Sequence, residues 1–340
     1  MRMKIFVIVF VAACFLLIQA GLVSVTLFSQ PVLAAEKIVL KAVTAWPKHT
    51  SMVQMGFNDW EARVNEKVKK QYPGQMELKW IGGPEAIGQM DQAAALKNGV
   101  VDVVMQAPSY CESIVPESGA IKYSEFTPME DREGKAYAFW NRIFRAKMNC
   151  IYLGRHGRDT TFHYFLNKKV TKPDWAGLSL RTPPGVFSTL TKTLGGSPII
   201  MPTGDVYTAL QRGVVDGYLT VYLAPPDFGW QEVTKYVIGH GFFTDPLIVL
   251  INLDTWNRLP SHLQTLLMDA SKESERSAWK LSQIQKKQTH QKYEKAGLKS
   301  IEFSADDAKR YIDTAYRVGW EYAEQKFPKV VPELKKLLSK

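Results

Sequence analysis

Leu178-Ser179-Leu180-Arg181-Thr182-Pro183-Pro184-Gly185 is the stretch on which the fold turns. Leu178 and Leu180 read as part of a short strand. The two prolines cannot donate to a ladder, so the strand stops within two residues of Arg181. Arg181 is therefore expected at the carboxyl end of a strand. In open α/β sheets ligands bind at that edge, and a guanidinium there offers a planar fork matched to a carboxylate or phosphate. A lone arginine at a strand end also suits a plain surface ion pair, so the weight falls on the sequence around it.

Outward from this stretch the chain alternates strands and helices. Downstream come a helix at 187–194, a strand at 197–201, a helix at Val206–Gln211 and a strand after Gly217. Upstream, 38–43 reads as a strand, followed by a helix carrying Met52, Met55, Phe57, Trp60, Val64 and Val68, then a strand at 76–81. A helix at 85–97, a strand at 100–105, a helix around Tyr137 to Phe144 and a strand at 150–153 follow. This β-α-β order predicts an α/β fold whose sheets are mostly parallel and flanked by helices. Leu96-Lys97-Asn98-Gly99-Val100-Val101-Asp102 echoes Leu210-Gln211-Arg212-Gly213-Val214-Val215-Asp216. Each reads as a helix closed by glycine and a strand opening at an aspartate, which supports two lobes of similar construction. The longest periodic segment, 261–296, begins at Ser261 as its expected N-cap and ends before Gly297. At about 1.5 Å per residue it would reach on the order of 50 Å, enough to span both lobes. A last amphipathic helix is expected from Tyr311 to Phe327.

Four segments in this order and spacing carry a resemblance: Ile81-Gly82-Gly83-Pro84, Asn98 to Asp102, Ala176 to Arg181, and Tyr207 to Gly217. Together they resemble the DctP family, the substrate-binding proteins of TRAP transporters, over nearly the whole chain after its N-terminal segment. The resemblance implies a two-lobed, hinge-closing receptor of the periplasmic-binding-protein type. Such a receptor captures organic acids and hands them to a membrane permease, while a long helix ties the lobes together. The expected division is 36–156 plus 246–285 for lobe I and 157–245 plus 286–340 for lobe II.

Arg2 and Lys4 precede an apolar run to Phe28, and Val32-Leu33-Ala34-Ala35 supplies small residues before the charged Glu36 and Lys37. Residues 1–35 are thus expected to be a cleaved export signal that sends the protein to the periplasm. The run is also long enough for an uncleaved anchor, and Val11-Ala12-Ala13-Cys14 resembles a lipoprotein box whose following residues are too apolar for a tether. Beyond it, Cys111 and Cys150 are the only thiols; they could pair in an oxidising compartment, but a chain of this length folds without staples.

The formal charge is +10, of which Arg2 and Lys4 account for two units; the remainder suits an anionic ligand. Nucleic acid is not expected, because the chain is exported and its basic residues form no stripe with aromatics. To replace the water stripped from a carboxylate, a site needs guanidinium groups and neutral donors in a dry cleft. Arg181 is the first candidate. Arg158 is the second: in the resembling family another arginine often precedes the strand-end one, although here Phe162-His163-Tyr164 forms an apparent insertion and Asp159 could neutralise Arg158. Around them we expect Trp46 and Tyr110 from the first lobe, and Phe187, Tyr207, Tyr218, Thr220 and Tyr222 from the second. Aromatic rings select shape and hydroxyls supply hydrogen bonds, though each ring is equally suited to core packing. Asp216 reads as structural.

The sequence departs from the family in two places. Asp216-Gly217-Tyr218-Leu219-Thr220 stands where many members carry Asp-Gly-Gln-Glu, so a less polar pocket is expected. Ala107-Pro108 stands where sialate-binding members place an acid, which points away from polyol-rich acids to a small or aromatic monocarboxylate or keto acid. Catalysis has no support: the six histidines show no metal spacing, and neither a nucleophile elbow nor a phosphate loop occurs. Asp205, Asp216 and Glu232 could in principle gather around a metal, but each has a plain capping or solvent role available; neither a metal nor a cofactor is expected. A periplasmic ligand-loaded sensor docking on a receptor, or an exported enzyme acting on an organic acid, are the alternative functions.

Overall fold

The structure, a computed structural model, describes residues 36–156, 161–244 and 246–340. The proposed signal segment and Arg158 lie outside the described residues. Twelve strands are described: β1 (Ile38–Thr44), β2 (Met76–Gly82), β3 (Val103–Gln106), β4 (Cys150–His156), β5 (Thr161–Leu166), β6 (Ser179–Thr182), β7 (Ser197–Ile200), β8 (Gly217–Val221), β9 (Tyr236–Ile238), β10 (Phe242–Thr244), β11 (Leu247–Asn252) and β12 (Lys299–Ile301). They form two sheets, ordered β2-β1-β3-β11-β4 and β12-β9-β5-β8-β6-β7, with β10 paired to β5.

In the first sheet β1 runs parallel to β2 and β3, as the alternation of strands and helices requires. The sequence reading did not foresee β11, which inserts antiparallel between β3 and β4. Its Leu247-Ile248-Val249-Leu250-Ile251-Asn252 is buried throughout, and such a continuous apolar run suits a strand covered on both faces. In the second sheet β6 is parallel to β7 and β8, whereas β5 is antiparallel to β8 and β9. That sheet is therefore mixed.

The two repeat segments do the same job in the two sheets. Gly99 and Gly213 both adopt the left-handed conformation that closes a helix (φ 71° and 68°). Asp102 then exchanges backbone and carboxylate hydrogen bonds with Lys41 of β1 (2.9 and 2.8 Å). Asp216 does so with Ser179 of β6 (2.7 and 2.9 Å), and Lys168 neutralises it.

Period-two alternation sorts the second sheet between two cores. Phe162, Tyr164 and Leu166 of β5 and Leu219 of β8 face a large core shared with the first sheet. Phe165 and Tyr218 face a smaller one with Val206, Leu210, Trp230 and Tyr293. The long helix Ser261–Lys295 packs its first half on Asp59–Gln71 and β4, and its far end contributes Tyr293 to the smaller core. Pro260, not Ser261, occupies its N-cap. Helix Ala305–Lys326 lies against Val186–Thr193, and the closing helix Val331–Leu338 packs on Ala136–Met148. The helix expected at 85–97 is confined to Gln92–Lys97. Gln89 and Gln92 donate instead to the backbone carbonyls of Ala45 and Thr44, which holds the preceding segment as turns. Among the described residues no helix is long and apolar enough to cross a membrane.

Candidate functional site

β6 is four residues long and flanked by two parallel neighbours, so the carboxyl ends of β6, β7 and β8 come together. Leu180 turns to the large core and Arg181 to the opposite face, where it is only 1% exposed. Its Nε and Nη2 donate to the carbonyl of Met201 (3.1 and 2.9 Å), and its Nη1 to the carbonyl of Leu219 (3.3 Å). Burial pushes the guanidinium below its ordinary pKa, opposed by a hydrogen bond with the Tyr110 hydroxyl. Among the described residues no carboxylate pairs with Arg181. A charge this deep with only carbonyls and a phenol around it carries an uncompensated desolvation cost, which an arriving anion would relieve.

Tyr110 comes from the first-sheet side, on the short turn Pro108–Cys111 that follows β3. Pro108 thus starts the turn that delivers a ring to Arg181. Trp46, just beyond β1, packs on Tyr110 with ring centroids 5.8 Å apart. Its indole Nε1 is buried with no hydrogen-bond partner, as is the Oε1 of Gln89, whose Nε2 is held by Ala45. A cleft of about 540 Å³ lies beside this group, between Pro47, Pro84, Gln89, Met90 and Asp91 on one side and Pro202, Thr203, Gly204 and Phe228 on the other; Gln89 lines it, whereas Arg181, Tyr110 and Trp46 do not. The Pro202–Gly204 wall directly follows Met201, the residue whose carbonyl Arg181 holds. The arrangement can accept a carboxylate on Arg181, with an indole N–H in reserve.

Arg181, Tyr110 and Trp46 are therefore brought together as expected. Thr220 lies buried on the same strand as Leu219, near the edge. Four expected residues are occupied elsewhere. Tyr218 is fully buried in the smaller core, stacked on Phe165 (4.9 Å), with its hydroxyl on Thr234 (3.0 Å). Phe187 is fully buried against Phe162 (4.4 Å), with the Lys122 ammonium 4.8 Å from its ring centre. Tyr222 turns to the long helix, where its hydroxyl meets His290 Nδ1 (3.2 Å) beside the buried His163. Tyr207 is half-buried over Gly229, at the margin of the smaller core. Each of these rings satisfies a packing demand that alternation imposes, the outcome weighed against a binding role for every aromatic.

Sequence reasoning missed Gln89, which fell inside an expected helix, and Arg155, which lies two residues past the strand expected at 150–153 and inside the longer β4 that forms. Arg155 is as buried as Arg181 but is paired with Asp131 and donates to Ser124 Oγ (3.1 Å). Cys111 and Cys150 are both free, buried thiols; Gln106 Nε2 donates to Cys111 Sγ (2.9 Å), and burial raises both pKa values.

Comparison with known proteins is decisive for the family. The model of bacterial extracellular solute-binding proteins, family 7, matches residues 42–326. The chain belongs to the DctP family. This DctP-family protein shares its fold with a TRAP periplasmic solute-binding protein of Desulfovibrio salexigens crystallised with orotic acid. The two superpose with a TM-score of 0.79 at 20% identity, over 89% of this chain and 97% of that one. The two sheets are accordingly the two lobes of an extracytoplasmic solute receptor. An uncharacterized protein of Haemophilus influenzae is 36% identical over 118 residues; the match spans 34% of this chain and 36% of that relative. A monocarboxylate 2-oxoacid-binding periplasmic protein of a Nostoc species is 22% identical over 249 residues, 69% of this chain and 65% of that protein.

Proposed function

We propose that this DctP-family receptor captures a small or aromatic monocarboxylate or a keto acid between its lobes, fixes the carboxylate on Arg181, and delivers it to a TRAP-type membrane permease. The observation that carries the reading is Arg181 itself, a buried guanidinium with no carboxylate partner among the described residues. The buried Trp46 indole N–H, packed against Tyr110, adds an unpartnered donor, and among the described residues no acid pairs with Arg181. The orotic acid bound to the Desulfovibrio protein and the monocarboxylate 2-oxoacid binding named for the Nostoc protein agree with this ligand class.

In operation the acid meets an open cleft and its carboxylate settles on Arg181. Contacts from Tyr110 and Trp46 are completed as the lobes rotate together, so binding shifts the open–closed population. We read the lobes as 36–156 with 246–285 and 157–245 with 286–340, except that helix Val331–Leu338, packed on Ala136–Met148, belongs with the first. The protein works outside the cytoplasm after its 1–35 segment is removed, and it binds its acid without turning it over. Isothermal titration of the mature protein with pyruvate, benzoate, succinate and galacturonate tests this. Stoichiometric binding of a monocarboxylate with the acid recovered unchanged is expected; stabilisation by uronate alone would overturn the ligand class, and turnover would overturn the receptor.

A further inference from the structure

Away from Arg181, one carboxylate crosses between the lobes. Asp227 lies on the turn Pro225–Asp227 that follows β8, on the second-lobe side. Its Oδ2 accepts two hydrogen bonds from Ser51, the first helical residue after β1 on the first-lobe side: one from the backbone N–H (2.8 Å) and one from the hydroxyl (2.6 Å). The helical stretch that begins at Ser51 gets no such help from its own N-cap. The Thr50 side chain makes no capping bond and donates instead to the carbonyl of Pro47 (2.9 Å). The second lobe thus supplies what the first lobe's backbone lacks, and it can do so only while the lobes are together.

We infer that Asp227 is a positioning residue for ligand capture, a latch that caps Ser51 across the cleft and sets the balance between closed and open lobes without touching the ligand. This rests on the closing-receptor reading given above. Charge-assisted bonds to a carboxylate are worth more than neutral ones, and both are lost together when the lobes part. Phe228, the next residue, lines the cleft, so the latch sits at the rim where a small rotation breaks it. His49 and Lys292 are the cationic groups whose charge reaches Asp227, and neither bond to Ser51 depends on them.

The test uses the full mature chain with spin labels at Lys79→Cys on β2 and Lys169→Cys in the segment just after β5, both exposed sites, the native thiols being buried. In the ligand-free protein, Asp227→Ala is expected to move the interspin distance distribution toward longer values. Asp227→Asn, which keeps the shape and a neutral acceptor, moves it less and serves if the alanine variant folds poorly. Ser51→Ala removes one of the two donors, and adding it to Asp227→Ala should produce no further shift, as expected for partners in one interaction. For any panel acid that binds wild type, Asp227→Ala weakens binding by about ten-fold, with the heat of binding at Arg181 retained. An unchanged distance distribution in both Asp227 variants, or fully additive effects with Ser51→Ala, overturns the latch. The receptor reading is judged separately, by whether wild-type distances shorten on adding pyruvate or benzoate.

Discussion

Arg155 and Arg181 are equally buried, and they have opposite surroundings. Arg155 ends the first sheet's edge strand and is neutralised by Asp131, with Ser124 and the Phe126 carbonyl as further acceptors. Arg181 ends a strand of the second sheet and meets the carbonyls of Met201 and Leu219 and the Tyr110 hydroxyl, with no anion among the described residues. A buried cation with its counterion serves the fold; one left without a counterion costs stability and is retained for what it will bind. His163 shows a third solution, in which the basic group is kept neutral. Its Nδ1 lies 2.8 Å from the Ile238 carbonyl, and burial holds its pKa down at about 4.

The contrast can be broken experimentally at several points. Removing the counterion of Arg155 by Asp131→Ala should cost about 3–5 kcal/mol of folding stability, read from urea unfolding, and leave acid binding intact once the protein is folded. Arg181→Ala should do the reverse: about 2–5 kcal/mol of binding lost by calorimetry, with the ligand-free protein no less stable than wild type. If Arg181→Ala instead destabilised the empty protein as much as Asp131→Ala, the distinction between the two arginines would fail. His163 predicts a pH effect. Because its folded pKa lies below the unfolded value near 6.5, the unfolded chain takes up the extra proton, so stability present above about pH 6.5 is lost as pH falls toward 4. The loss reaches about 3 kcal/mol at the acid end, and His163→Gln should flatten that part of the Tm-against-pH curve. The smallest expected effect belongs to Trp46→Phe, which keeps a ring against Tyr110 and removes the unpartnered N–H; binding should weaken by about 1 kcal/mol.

Much of this architecture was legible locally. Arg181 could be placed because Pro183-Pro184 fixes where its strand ends, and the Asp102 and Asp216 clamps because each follows a glycine that only a helix end requires. Trp46 and Tyr110 followed from lying just beyond strand ends. The aromatics of the second lobe were harder. Tyr218 and Thr220 share one face of their strand, and whether a ring on that face meets the cleft or packs in the core depends on β5 and on Trp230, which no local pattern reveals. Arg155 and Asp131 are far apart in the sequence, and nothing near either one announces that they pair. β11 was missed because a short apolar run gives burial but not direction, and its partners are fixed by register across distant segments.

β11 also fixes the order in which the molecule can be built. The strand lies between β3 and β4, yet it arrives only after the chain has completed most of the second sheet. Until residue 252 is available, β4 has no neighbour in its own sheet, and the apolar edge it will share with β11 stays bare. The amino-terminal half therefore cannot finish folding on its own while synthesis proceeds, because its closing piece is non-local. Neither lobe can be made from one uninterrupted stretch of chain, and a truncation anywhere before β11 removes the middle of the first lobe rather than its end.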